Sequence, residues 1–93
     1  MGGAYSRVRP DETAFAHRNA MFLLQHTADP TDPWLDRSWA IAHQFGSGGV
    51  YPNFPDPALE RPIDAYHGLN ADRLRAIKQY YDPDRLFEFP QAL

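Results

Sequence analysis

The chain has 93 residues, enough for one domain near the lower size limit of a self-sufficient core. Hydrophobic residues at 43% and aromatics at 14% exclude a generally disordered chain. Nine basic against twelve acidic residues leave a net charge of −3, which excludes an electrostatic footprint for nucleic acid or a polybasic membrane patch, and the lack of cysteine excludes disulfides and thiolate metal sites.

The N-terminus, "MGGAYS", fits the myristoylation signature through Gly2 and Ser6, a pattern short enough to arise by chance. No charged-then-apolar leader and no run of membrane-spanning length is present, so a cytoplasmic location without a membrane partner is expected. Residues 4–8, "AYSRV", read as a short strand, and "RPDET" as a turn. "AMFLLQH", residues 20–26, is an apolar run of strand length, although its Leu and Met would also suit a helix.

After the loop "TADPTDP", Asp32 reads as an N-cap and Pro33 as the first helical residue. Trp34, Leu35, Trp39, Ala42 and Phe45 recur near a 3.6 spacing, so the tryptophans are expected as core anchors, and "GSGG" ends the helix. In "GGVYPNFPDP", prolines at 52, 55 and 57 exclude a regular helix and spoil strand pairing while holding Tyr51, Asn53 and Phe54 on stiff backbone. The stretch is either a surface connector or a wall against a ligand.

"ALERPIDAYHG" has no clear period and reads as a loop. Asn70 then caps a second helix, "ADRLRAIKQYY", with Leu74, Ile77 and Tyr81 on one face and Asp72, Arg75 and Lys78 toward solvent. Asp82 before Pro83 stops it, and Leu86, Phe87 and Phe89 make the closing segment apolar enough to dock. The expected class is α+β, a small antiparallel sheet fragment packed with two helices.

Chemistry is sparse in these patterns. His17, His26, His43 and His67 lack metal-ligand spacing, so no metal site is expected. No phosphate-binding glycine loop is present, and "GSGG" follows a helix where an anion site would open one. Asp56, Glu60 and Asp64 read as a solvated loop. Tyr51, Tyr66, Tyr80 and Tyr81 offer phenols, but a phenol of ordinary pKa, about 10, is a poor base at neutral pH.

The last third, "YHGLNADRLRAIKQYYDPDRLFEFPQAL", resembles the C-terminal signature of the berberine bridge enzyme family of FAD-linked oxidases. The matching positions are Tyr66, Gly68, Asn70, Arg73, Leu74, Lys78, Tyr81, Asp82, Pro83, Phe87 and Gln91. "GGVYPNFPD" is similar to that family's flavin-facing tyrosine–x–asparagine–tyrosine strand, and "GGAYSRVRPDETAFAHRNAMFLLQ" to two strands of its substrate domain.

The resemblance implies a C-terminal portion of a larger FAD-linked oxidase fold. Residues 1–47 would end the substrate domain, and residues 48–93 would form a flavin-proximal strand and closing helix. It implies FAD as cofactor, with Tyr51 and Asn53 near the flavin, and oxidation of an organic substrate by hydride transfer. Phe54 stands where the family carries a catalytic tyrosine, so no catalytic residue is assigned. The chain would need an FAD-binding domain or subunit as partner and would be inactive alone. The alternative is a non-catalytic, self-associating relic of such an oxidase. A homodimer is expected in isolation, with the strands at 4–8 and 20–26 as contact edges.

Overall fold

The computed structural model describes residues 2–29 and 31–93, so Met1 of the myristoylation pattern and Pro30 of the loop before the first helix lie outside the described residues. Among the described residues there are three α-helices: α1, Trp34–His43; α2, Pro62–His67; and α3, Ala71–Tyr81. Short 3-10 helices at Gly3–Arg7 and Gly68–Asn70 complete the regular structure. No strand occurs among the described residues, which overturns the expected sheet and the α+β class.

The reason is physical. A strand exists only through the ladder it shares with a neighbour, and this chain supplies no neighbour to either candidate. The "AYSRV" segment instead coils as a 3-10 turn behind Gly3, whose φ of 71° starts the turn, while the Ser6 hydroxyl donates to the Gly3 carbonyl at 3.2 Å. Met21, Phe22, Leu23 and Leu24 run without regular structure and are exposed. The predicted dimer contact edges are therefore not strands.

Helix α1 starts one residue later than the sequence places it, with Pro33 at the N-cap and Trp34 as its first residue. The Asp32 carboxylate accepts the Trp34 amide at 2.8 Å, satisfying a donor that the helix cannot pair itself. The Gly46 amide closes the other end on the His43 carbonyl at 2.9 Å. The predicted core role of the tryptophans fails: Trp34 is 49% and Trp39 43% exposed, and α1 touches no other helix. The segment read as a loop contains α2, opened by Pro62. Six residues are under two turns, too few to show a period.

Asn70 sits at the N-cap of α3 as expected, but its side chain makes no capping bond. It is buried and donates instead to the carbonyls of Pro10 at 2.7 Å and Thr13 at 3.0 Å, fastening the N-terminal turn to the start of α3. At the other end Asp82 leaves helical geometry before Pro83, as predicted. Tyr81, expected on the packed face, is exposed, whereas Lys78, expected toward solvent, is half-buried.

Very little of this is a core. Among the described residues only Tyr66, Asn70, Ala71 and Asp82 are buried. The molecule is a plate, 42 × 34 × 17 Å, with a radius of gyration of 15.0 Å against about 12 Å for a compact domain of this length. Its accessible surface is 7542 Å², roughly 2,000 Å² more than a free-standing protein of its mass exposes. Leu86, Phe87 and Phe89, expected to dock, add to that surplus, since nothing in the chain covers them.

The exposed closing segment is nonetheless held in place. Lys78 donates to the Asp82 carboxylate and to the Phe87 carbonyl, and Asp82 accepts the amides of Leu86 at 2.7 Å and Phe87 at 3.2 Å. The Lys78 ammonium first, with those two amides, holds the Asp82 carboxyl below the usual carboxylate range, against the opposing effect of burial. A carboxyl depressed on folding stabilises the fold above its unfolded pKa, and that stabilisation is lost as pH falls through the folded value. The Leu86 and Phe87 amide resonances are therefore expected to hold steady at neutral pH and to move together only below about pH 4. Asp82→Asn should abolish that joint movement; its persistence would show that another group causes it.

Candidate functional site

The proline-rich stretch folds as two tight turns. The Phe54 amide donates to the Tyr51 carbonyl at 3.1 Å, closing a turn with Pro52 at its second position, where a fixed φ is favourable. The Leu59 amide does the same with the Asp56 carbonyl at 3.3 Å, with Pro57 at the second position. The expected flavin-proximal strand is thus a turn, and Pro52 is the residue that makes it one. Across it the Tyr51 and Phe54 rings meet edge to face with centroids 5.5 Å apart, and Asn53 Nδ2 donates to the Tyr51 hydroxyl at 3.0 Å. Tyr51 and Asn53 form one hydrogen-bonded pair on this turn; Phe54 packs on it and carries no polar atom.

Tyr51 continues an aromatic row. Its ring meets Phe15 at 6.0 Å, Phe15 meets Tyr5 at 5.8 Å and His17 at 5.5 Å, and the Arg18 guanidinium lies 5.3 Å from the Phe15 centroid. A cleft of about 440 Å³ opens along this row, lined by Tyr5, Phe15, His17, Arg18 and Tyr51 with apolar Phe22 and Leu23. Asn53 and Phe54 lie outside that lining. A second cleft, of about 390 Å³, lies beside Arg61 and Asp64, and His17, Ser47 and Gly49 border both.

His17 is the pin of this arrangement. Its Nε2 bonds the Tyr66 carbonyl at 2.9 Å, and one residue away the Val50 amide donates to the Ala65 carbonyl at 2.8 Å. Two carbonyls of the last turn of α2, which have no partner within the helix, are thereby satisfied by the N-terminal segment and the glycine segment. The imidazole fits because residue 49 is glycine: a Cβ there would stand 2.6 Å from His17 Nδ1.

A closed ring of hydrogen bonds sets the floor. The Asp56 amide donates to the Tyr66 hydroxyl at 2.8 Å, that hydroxyl donates to Gln91 Oε1 at 2.9 Å, and Gln91 Nε2 donates to the Asp56 carbonyl at 2.8 Å. Gln91 reaches inward from a left-handed backbone, φ 69°, which costs a non-glycine residue about 1–2 kcal/mol. Tyr66 is thus a structural phenol, while Tyr80 and Tyr81 are exposed, meet edge to face and do not line the cleft. His67 is held below the ordinary imidazole range, by burial first and then by the charges of His17 and Arg75. No group of side chains suited to a metal occurs among the described residues.

Phe15, His17 and Arg18 were not singled out as cleft residues by sequence. Their backbone is irregular, so no period marks them. The available signal was compositional, a phenylalanine two residues before an adjacent histidine and arginine.

Comparison with known proteins follows this geometry. The family described as "Berberine and berberine like" matches residues 50–93, which include the Tyr51–Phe54 turn, α2, α3 and Gln91. An uncharacterised FAD-linked oxidoreductase of Bacillus subtilis, YvdP, is 38% identical over 103 residues, covering 99% of this chain and 22% of that protein. A chitooligosaccharide oxidase of Gibberella zeae is 35% identical, covering 99% of this chain and 22% of that protein. A xylooligosaccharide oxidase of Thermothelomyces thermophilus is 35% identical, with 97% and 21% covered. The chain spans about a fifth of the length of these relatives, 21–22%. No solved structure matches it.

Proposed function

We propose, for a chain that carries the berberine and berberine-like C-terminal region of FAD-linked oxidoreductases, that it closes the flavin site of such an oxidoreductase. The observation that carries this reading is the surplus apolar surface beside an aromatic cleft: the chain is built to be covered, and its cleft is built to face a planar ring. FAD, when bound, accepts the hydride that the oxidised organic substrate gives up. The chain's own contribution is positional. Tyr51 and Asn53 form the flavin-facing pair, the amide fixing the phenol by its hydrogen bond, and Phe54 backs them without offering a proton acceptor.

The residues present fit one wall of a flavin site and no more. Aromatic rings and an amide suit the ring system; the pyrophosphate would need a partner domain, since no helix here opens on a glycine-rich turn. Catalysis thus needs the adjoining FAD-binding polypeptide. Two relatives are named for oligosaccharide oxidation, which makes carbohydrates the substrate class to try first.

The test is a chimera in which this chain replaces the matching region of the Bacillus subtilis relative. It is expected to retain flavin through gel filtration, whereas the relative lacking that region loses it. Tyr51→Leu in the chimera is expected to shift the flavin's visible absorption. A chimera that is folded but free of flavin would refute the reading.

A second reading has one observation in its favour. Exposed Phe22, Phe45, Phe87 and Phe89 suit a second copy as well as an FAD-binding partner, giving a non-catalytic homodimer. Sedimentation decides between them: a dimer that persists when the FAD-binding portion is added supports the relic. No helix among the described residues is long and apolar enough to cross a membrane.

A further inference from the structure

The aromatic cleft contains a charge that its surroundings do not balance. Arg18 lines it, with its guanidinium stacked 5.3 Å from the Phe15 centroid and 5.5 Å from that of Tyr5. One terminal nitrogen donates to Thr13 Oγ1 at 2.6 Å. Among the described residues Arg9, Arg61, Arg75, Lys78 and Arg85 have a carboxylate within ion-pair distance, while Arg7, Arg18, Arg37 and Arg73 have none, and of these four Arg18 is the one that lines the aromatic cleft. Its Nε is shut off from solvent and has no acceptor.

A shielded, charged donor without an acceptor is costly, and here it sits in a guanidinium within cation–π reach of two rings. Thr13 holds one of its terminal nitrogens. A carboxylate supplies the acceptors that a guanidinium pairs with best.

We propose that the Arg18 cleft is a carboxylate site, the acid group pairing with Arg18 while its ring or apolar body lies against Phe15, Phe22 and Tyr51. The inference stands on the cleft and does not require the flavin reading. The carboxylate has two available sources, a free organic acid or an acidic side chain of the adjoining polypeptide.

The probes are benzoate and its neutral isostere benzamide, titrated by nuclear magnetic resonance into the chain alone and into the chimera. Benzoate is expected to bind the chain about tenfold or more tighter than benzamide, the ratio that a charge-assisted pair supplies. Arg18→Met should bring the two affinities together, and Arg18→Lys should keep part of the difference. Thr13 and Phe15 resonances, unchanged in the Arg18→Lys variant without ligand, show that the cleft survives substitution. Benzoate binding in both arms assigns the site to a free acid; binding in the chain alone assigns it to a side chain that fills the cleft on assembly. Equal affinity for the two probes, no binding of benzoate in either arm, or a preference that survives Arg18→Met would overturn the proposal. Loss of flavin from the chimera with the benzoate preference intact would count against the proposed function and leave this inference standing.

Discussion

Replacing Tyr66 by alanine is expected to remove about 3–5 kcal/mol of stability from the chimera, the loss typical of a truncated buried aromatic. Among the described residues Tyr66 is the one large side chain that is buried, and its ring is the centre of what little core exists. Tyr66→Phe separates packing from hydrogen bonding. It keeps the ring and removes the hydroxyl, leaving the Asp56 amide without its acceptor and Gln91 Oε1 without its donor. That variant is expected to lose about 1–3 kcal/mol, the cost of stranding a shielded donor. Urea unfolding of the chimera measures both. If Tyr66→Phe unfolds at the parent's urea midpoint, the ring through Gln91 and Asp56 is not held in solution.

The second large effect is expected at Gly49. A Cβ at residue 49 would stand 2.6 Å from His17 Nδ1 and 2.7 Å from Cε1, closer than side chains approach. The imidazole cannot simply swing away, because its Nε2 holds the Tyr66 carbonyl and its ring meets Phe15. Gly49→Ala should therefore displace His17, free that carbonyl, and shift Phe15 and Tyr51 along the row, at an overpacking cost of about 1–3 kcal/mol. A double-mutant cycle identifies the cause. His17→Ala in the Gly49→Ala background should cost less than in the parent, since the clash is already relieved. Strict additivity would show that the two residues do not meet.

How much of this was legible in the sequence depended on whether a feature was local. Asp32 and the Asp82–Pro83 pair act through their own backbone neighbours, and the start of α1 and the end of α3 follow from them, whereas α2, too short to show a period, was read as a loop. The family resemblance was legible for a related reason, since "GGVYPNFPD" and the run from Tyr66 to Gln91 carry it in consecutive residues. That the expected strands do not form was not legible, because the apolar run 20–26 states only that its side chains need cover. The tryptophans of α1 make the same point. Their spacing predicted an apolar face, and the face exists, but among the described residues no other helix packs against it; His26 meets Trp34, and both tryptophans stay exposed.

The candidate site divides along the same line. Tyr51, Asn53 and Phe54 stand on one turn four residues long, so sequence brings them together, and the structure adds the bond between Asn53 and Tyr51. Phe15, His17 and Arg18 reach the same cleft from more than thirty positions upstream, through bonds to α2 and packing against Tyr51 that no spacing rule encodes. Asn70 shows how a correct placement can still miss the role: it stands at the helix start, yet its amide ties down Pro10 and Thr13.

We propose that this chain is a covering layer whose apolar face is completed by an FAD-binding polypeptide. Amide hydrogen exchange on the chain alone and within the chimera tests it most directly. Alone, the Leu86 and Phe87 amides keep the protection that Asp82 gives them, whereas the amides of α1 and of residues 88–89 are expected to exchange freely, because the side chains around them are exposed. Joined to the FAD-binding portion, the same amides are expected to become protected. A monomeric chain that protects α1 and unfolds sharply by itself would contradict the claim.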